Sequence, residues 1–167
     1  MTAPVLVLVG PPGAGKSTIG ARVAEQLGVP FRDTDQDIEA LAGKSIPDIF
    51  FDDGEEHFRA LERDAVRLAC AEHAGVLSLG GGAVLDATTR ELLGPHVVVY
   101  LAVQLPDATK RIGMSAARPV LALNPRARLQ QLLEERLPHY REVATHEVDT
   151  SGKSIDAVVD EVLACLS

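Results

Sequence analysis

The chain has 167 residues, enough for one domain with a proper core and too few for a second of similar size. Apolar residues make up 46% and aromatic ones only 4%, so the core must be mainly aliphatic. The formal charge of −8 argues against a general nucleic-acid or membrane-surface binder, because either would need a basic face.

The first predicted element is the apolar run from Val5 to Val9, a strand. Gly10-Pro11-Pro12-Gly13-Ala14-Gly15-Lys16-Ser17-Thr18 follows, and then Ile19, Val23 and Leu27 at helical spacing. A strand, a G-x-x-x-x-G-K-[ST] loop and a helix in this order form a phosphate-binding loop. Its glycines let backbone N–H groups wrap a polyphosphate, and the N-terminus of the helix points the same way. Lys16 supplies a mobile charge for the β- and γ-phosphates, and the Ser17 hydroxyl suits a Mg²⁺ site. An ordinary glycine-rich turn explains Gly13 or Gly15 but gives no reason for the Lys-Ser pair. Residues 13–18 are therefore read as a nucleotide-phosphate site.

The helix is expected over Lys16–Leu27, stopping at Gly28. Val29–Arg32 reads as extended and leads into Asp33-Thr34-Asp35. In an extended chain Asp33 and Asp35 share a face and Thr34 points away. One carboxylate suits Mg²⁺, directly or through water; the other suits an acceptor hydroxyl and its proton. Thr34 or Asp35 also suits the start of a helix that carries Ile38 and Leu41 and ends at Gly43. One residue can serve both ends.

Ile46 to about His73 reads as helical, interrupted near Asp52-Asp53-Gly54, with Phe58, Leu61, Ala65, Leu68 and Ala69 as its buried stripe. Arg59 lies off that stripe, and the residue alone reads as a surface arginine paired with Glu55 or Glu62. Val76–Leu79 is a buried parallel strand running into Gly80-Gly81-Gly82, bare backbone at the edge where open α/β sheets bind ligands.

A short helix over Ala87–Leu93, a strand over Val97–Leu101 and helical residues near Asp107–Ile112 come next. The segment 113–125 lacks periodicity and reads as a lid, with Arg118 as its candidate phosphate contact. A helix from Arg126 to Tyr140 carries Arg136 near its end, ahead of Pro138, where a cation also suits the helix dipole. His146–Thr150 is a last short strand, and an amphipathic helix over Ile155–Leu166 closes the chain. Alternating strands and helices of this kind give an α/β fold with five strands.

Cys70 and Cys165 have no metal-site spacing and read as free thiols, and the five histidines are scattered. The Met-Thr-Ala-Pro start lacks signal-peptide features, and no apolar run approaches membrane-spanning length. A reducing cytoplasm is the expected location, without nucleic-acid or membrane partners, and a monomer is the expected state.

Taken together, the phosphate loop, Asp33-Thr34-Asp35, Phe58-Arg59, Ser78-Leu79-Gly80-Gly81-Gly82, Arg118-Pro119 and Arg136 ahead of Pro138-x-Tyr140 resemble the shikimate kinase family. The likeness covers nearly the whole chain. It implies a three-layer sandwich of nucleoside-monophosphate-kinase type: a five-stranded parallel sheet flanked by helices, with a lid at about 113–125 and a shikimate-binding region at about 33–62. It implies ATP- and Mg²⁺-dependent phosphorylation of the 3-hydroxyl of shikimate. Carried over by position, Lys16 and Ser17 serve ATP and Mg²⁺, with Asp33 helping to hold the metal. Asp35 would bind shikimate hydroxyls and act as base. Arg59 and Arg136 would grip the carboxylate beside Gly80, Gly81 and Gly82. Arg118 would reach the phosphates, and Arg111 and Lys153 would flank adenine. A gluconate-type kinase on the same fold is the nearest rival, and a non-catalytic nucleotide-binding module is the rival from another class.

Overall fold

A computed structural model describes residues 3–104 and 125–166. The lid at 113–125, the helical residues near 107–112, Arg111 and Arg118 thus lie wholly or mostly outside the described residues. In chain order the elements are β1 (Leu6–Val9), α1 (Lys16–Leu27), β2 (Phe31–Asp33), α2 (Thr34–Ala42), α3 (Ile46–Glu72) and β3 (Val76–Ser78). A 3₁₀ turn (Ala83–Leu85) follows, then α4 (Ala87–Leu93), β4 (Val98–Ala102), α5 (Pro125–Val143), β5 (His146–Asp149) and α6 (Ile155–Ala164).

The strands form one parallel sheet in the order β2-β3-β1-β4-β5. β1 lies at its centre, and the two-residue period of a strand sends its side chains to opposite faces. Leu6 and Leu8 pack with Ile19 and Val23 of α1 and with Val158 and Val162 of α6. Val7 and Val9 pack with Val66 of α3, Leu93 of α4 and Tyr140 of α5. Both faces are covered, which is why β1 is apolar without alternation. The expected three-layer α/β sandwich is what the chain forms. Among the described residues no helix is long and apolar enough to cross a membrane.

This order brings three strand ends to one edge. Leu8 and Asp33 both lie in register with Ser78, so β1, β2 and β3 release the phosphate loop, α2 and the triple glycine side by side. α1 stops where expected: Gly28 takes a left-handed conformation and its N–H reaches the carbonyls of Ala24 and Glu25.

Two expectations need correction. Beyond Gly54 the buried residues of α3 are Phe58, Glu62, Val66, Ala69 and Cys70, whereas Leu68 is exposed. The helix serves two bodies at once: Leu61 and Ala65 pack towards Ile38 and Ile49, while Val66 and Ala69 face the sheet. A single apolar stripe could not represent both. The expected break is present at Gly54 (φ 87°, ψ 168°), where two helical pieces meet.

The second correction concerns the end of α5, expected at Tyr140, which lies at Val143 with Pro138 inside the helix. A proline inside a helix costs about 3 kcal/mol. Here the final turn is held by packing, since Tyr140 is buried and stacks on Tyr100 with ring centroids 5.0 Å apart. Pro138 and Glu134 are both exposed, so water can serve the carbonyl that the missing N–H leaves without an intrahelical donor.

Candidate active site

The phosphate loop closes on α1 through Gly15, whose φ of 86° suits glycine alone. Gly15 also offers no side chain to cap α1, which leaves the first N–H groups of the helix to an anion. Lys16 Nζ donates to the carbonyls of Gly10 (2.7 Å) and Pro11 (3.1 Å), so its ammonium is folded over the loop. Ser17 Oγ donates to Asp33 Oδ2 at 2.7 Å.

Asp33 caps α2: its Oδ1 accepts from the Asp35 N–H at 2.8 Å. The cap is therefore Asp33, not Thr34 or Asp35. Asp35 lies in the first helical turn, so strand alternation does not set its direction. The strand-to-helix switch parts the two carboxylates instead. Asp33 faces Ser17, and Asp35 reaches the end of β3, where a Cβ built on Gly80 would lie 2.5 Å from its Oδ1. Thr34 is fully buried between them in sequence.

The triple glycine is the floor of the other half. A Cβ on Gly82 would lie 2.5 Å from Arg59 Nη1, so the guanidinium rests on bare backbone. Arg59 Nη1 also donates to Glu62 Oε1 at 2.8 Å, and its guanidinium carbon is 5.3 Å from the centre of the Phe58 ring. The expected partners Glu55 and Glu62 are both present, yet Arg59 is at the glycines rather than on open surface. A Cβ on Gly81 would meet Pro12 of the phosphate loop at 3.1 Å and Arg136 Nη1 at 3.2 Å. Arg136 is only 6% exposed, in mid-helix rather than at a helix end, and its Nε has no hydrogen-bond partner among the described residues. A buried donor in that state is costly, and an acceptor such as a carboxylate oxygen at this place would satisfy it.

These two halves lie against each other across Gly81, and the sequence as a whole matches the family described as shikimate kinase over residues 12–167. The chain belongs to the shikimate kinase family. A shikimate kinase from Salinispora arenicola is 58% identical to it over 99% of each chain. The solved shikimate kinase from Acinetobacter baumannii, in complex with shikimate, superposes with a TM-score of 0.92 at 38% identity, covering 98% of this chain and 92% of that one. A gluconokinase from Sinorhizobium meliloti reaches a TM-score of 0.57 at 21% identity, over 98% of this chain and 91% of that one, a likeness of fold alone.

For a shikimate kinase family member, the residue that sequence reasoning undervalued is Glu62. It entered only as a partner for Arg59. The available signal was its position four residues after buried Phe58, on the same helical face. Glu62 is 4% exposed, and burial pushes its carboxyl above the usual glutamate range, against the opposing pull of Arg59. Between the ordinary and the raised value, the folded chain binds the proton that the unfolded chain has released. Stability from this group is thus full below the ordinary value and declines as pH rises through the raised one. The stability difference between the unaltered chain and Glu62→Gln should fall over that window and level off above it, as read by denaturant midpoints across pH. A flat or rising difference would contradict this.

Lys153 stands apart from these groups. It follows β5, two strands or about 10 Å from β1 along the sheet, and its Nζ is 3.0 Å from Glu161. The hydroxyl of Ser17 and the carboxylate of Asp33 are hard oxygen donors beside the phosphate loop, which fits Mg²⁺ held largely by phosphates and water.

Proposed function

We propose that the chain transfers the γ-phosphoryl group of ATP to the 3-hydroxyl of shikimate, giving shikimate 3-phosphate and ADP, a step towards chorismate and the aromatic amino acids. The observation that carries this reading is the meeting of Asp35, Arg59 and Arg136 on the bare backbone of Gly80–Gly82, directly beside the phosphate loop.

The backbone from Gly13 to Thr18 cradles the phosphates, and Lys16 exchanges two loop carbonyls for phosphate oxygens. Mg²⁺, held through Ser17 and Asp33, supplies charge neutralisation at the phosphates when bound. Arg59 and Arg136 take the shikimate carboxylate, since planar forks match a carboxylate with paired hydrogen bonds. Asp35 orients the acceptor hydroxyl and takes its proton. The hydroxyl oxygen forms its bond to the γ-phosphorus as the bond to the β–γ bridging oxygen breaks, and ADP leaves with that electron pair. Arg118 on the phosphates, and Arg111 and Lys153 at adenine, rest on the family resemblance. We place the reaction in the cytoplasm and take a monomer as the working unit, because one chain supplies both halves of the site.

Arg136→Ala should raise the shikimate KM about 30-fold or more and leave the ATP KM within about twofold, since truncating a buried charged contact costs roughly 2–5 kcal/mol. Arg59→Ala should act in the same direction but less, because that side chain keeps 22% of its surface exposed. Steady-state kinetics in each substrate check both, and phosphorus NMR of the product tests the reaction itself. A phosphorylated product other than shikimate 3-phosphate, or an unchanged shikimate KM in Arg136→Ala, would overturn the reading.

A further inference from the structure

Tyr140 is one helical turn beyond Arg136 on α5, and residues four apart on a helix share a face. Helical side chains lean back towards the N-terminus, so the tyrosine ring lies below the arginine. Its hydroxyl donates to the carbonyl of Gly81 at 2.6 Å. Gly81 is the glycine wedged between Pro12 of the phosphate loop and Arg136 Nη1. The ring is 1% exposed and stacked on Tyr100, with 21° between the planes. The phenol is also held protonated by burial, so it remains a donor throughout the neutral range.

Resting on the shikimate kinase reading, we infer that Tyr140 is a positioning residue: its hydroxyl ties the Gly81 carbonyl to α5 and so fixes Arg136 against the glycine floor for the acceptor carboxylate. The chemistry favours this over core filling. A buried phenol aimed at an aliphatic core would be better replaced by phenylalanine unless its oxygen met a specific partner. Here the partner belongs to the loop that carries the acceptor site, and one side chain links that loop to the arginine above it. The 3₁₀ turn after the loop is fastened independently: Arg90 Nη1 donates to the Val84 carbonyl at 2.8 Å, and Arg63 pairs with Asp86 at 2.6 Å. Losing the tyrosine contact would therefore loosen Gly81 and the arginine beside it and leave the turn's own ties in place.

The test is Tyr140→Phe, which keeps the ring and the stack but removes the donor, beside Tyr100→Phe as the control for the stack. Shikimate KM and calorimetric Kd should rise about tenfold in Tyr140→Phe, with ATP affinity within about twofold of the unaltered chain. Tyr100→Phe should leave all of these within about twofold. Unchanged shikimate affinity in Tyr140→Phe, or an equal rise in both variants, would overturn the inference and make Tyr140 a packing residue. Should Tyr140→Phe not fold, tyrosine labelled at Cζ in the unaltered chain gives a second reading, as there are only two tyrosines. Shikimate should shift the Tyr140 signal and not that of Tyr100; a still Tyr140 signal would overturn the inference. An unaltered chain that shows no shikimate-dependent turnover would instead sink the functional reading, so the two failures are distinct.

Discussion

Lys16→Ala is expected to lower kcat by about three orders of magnitude or more while shikimate binding persists. The ammonium rests on two neutral carbonyl oxygens of its own loop, those of Gly10 and Pro11. Polyphosphate oxygens are stronger partners for it, and charge grows on the β–γ bridging oxygen as that bond breaks. Alanine removes this stabilisation where it is most needed. The lysine lies partly exposed, so the loop should survive its loss. Single-turnover kinetics beside calorimetric shikimate titration separate the effects. Turnover within tenfold of the unaltered chain would remove Lys16 from the chemistry.

Asp35→Asn should reduce kcat by about 10²- to 10⁴-fold, with ATP affinity unchanged. The substitution keeps size and one carbonyl oxygen, yet it puts an amide donor where the acceptor hydroxyl needs a proton acceptor. Position makes the effect specific. A Cβ on Gly80 would meet Asp35 Oδ1 at 2.5 Å and Glu62 Oε2 at 3.0 Å, so two carboxylates flank the same stretch of floor. They differ in company, because Glu62 is tied to Arg59 at 2.8 Å and reserved for holding it. A kcat that barely moves would reduce Asp35 to a first-turn residue of α2.

Where local chemistry decides structure, the sequence can be read directly. The phosphate loop, α1 and its end at Gly28 follow from glycine spacing and helical periodicity, which need no knowledge of the rest of the chain. The parallel sheet follows from apolar runs too uniform for a half-exposed strand. Long-range packing decided the misread places. The helix that carries Arg136 reads as ending at Tyr140, but the packing of Tyr140 against Tyr100 carries it on to Val143. Leu68 reads as core and Glu62 as surface, and the fold reverses both because α3 packs on two bodies at once.

The candidate site divides in the same way. Its donor half is contiguous in sequence and legible from residue types. The acceptor half joins Asp35, Arg59, Gly82 and Arg136 from four separate segments, and only the family resemblance assembled them in advance. For Asp33 the cap and the Ser17 partner coincide in one carboxylate, so neither the local nor the functional reading was complete by itself.

Shikimate as the phosphoryl acceptor is what the acceptor-side residues have in common. The most direct measurement is ADP release with ATP and Mg²⁺ present and shikimate added or withheld. Release should require shikimate and saturate with it. Release driven instead by gluconate or a nucleoside monophosphate would keep the fold and phosphate loop but contradict every acceptor assignment. ATP binding without release for any acceptor would contradict the kinase itself.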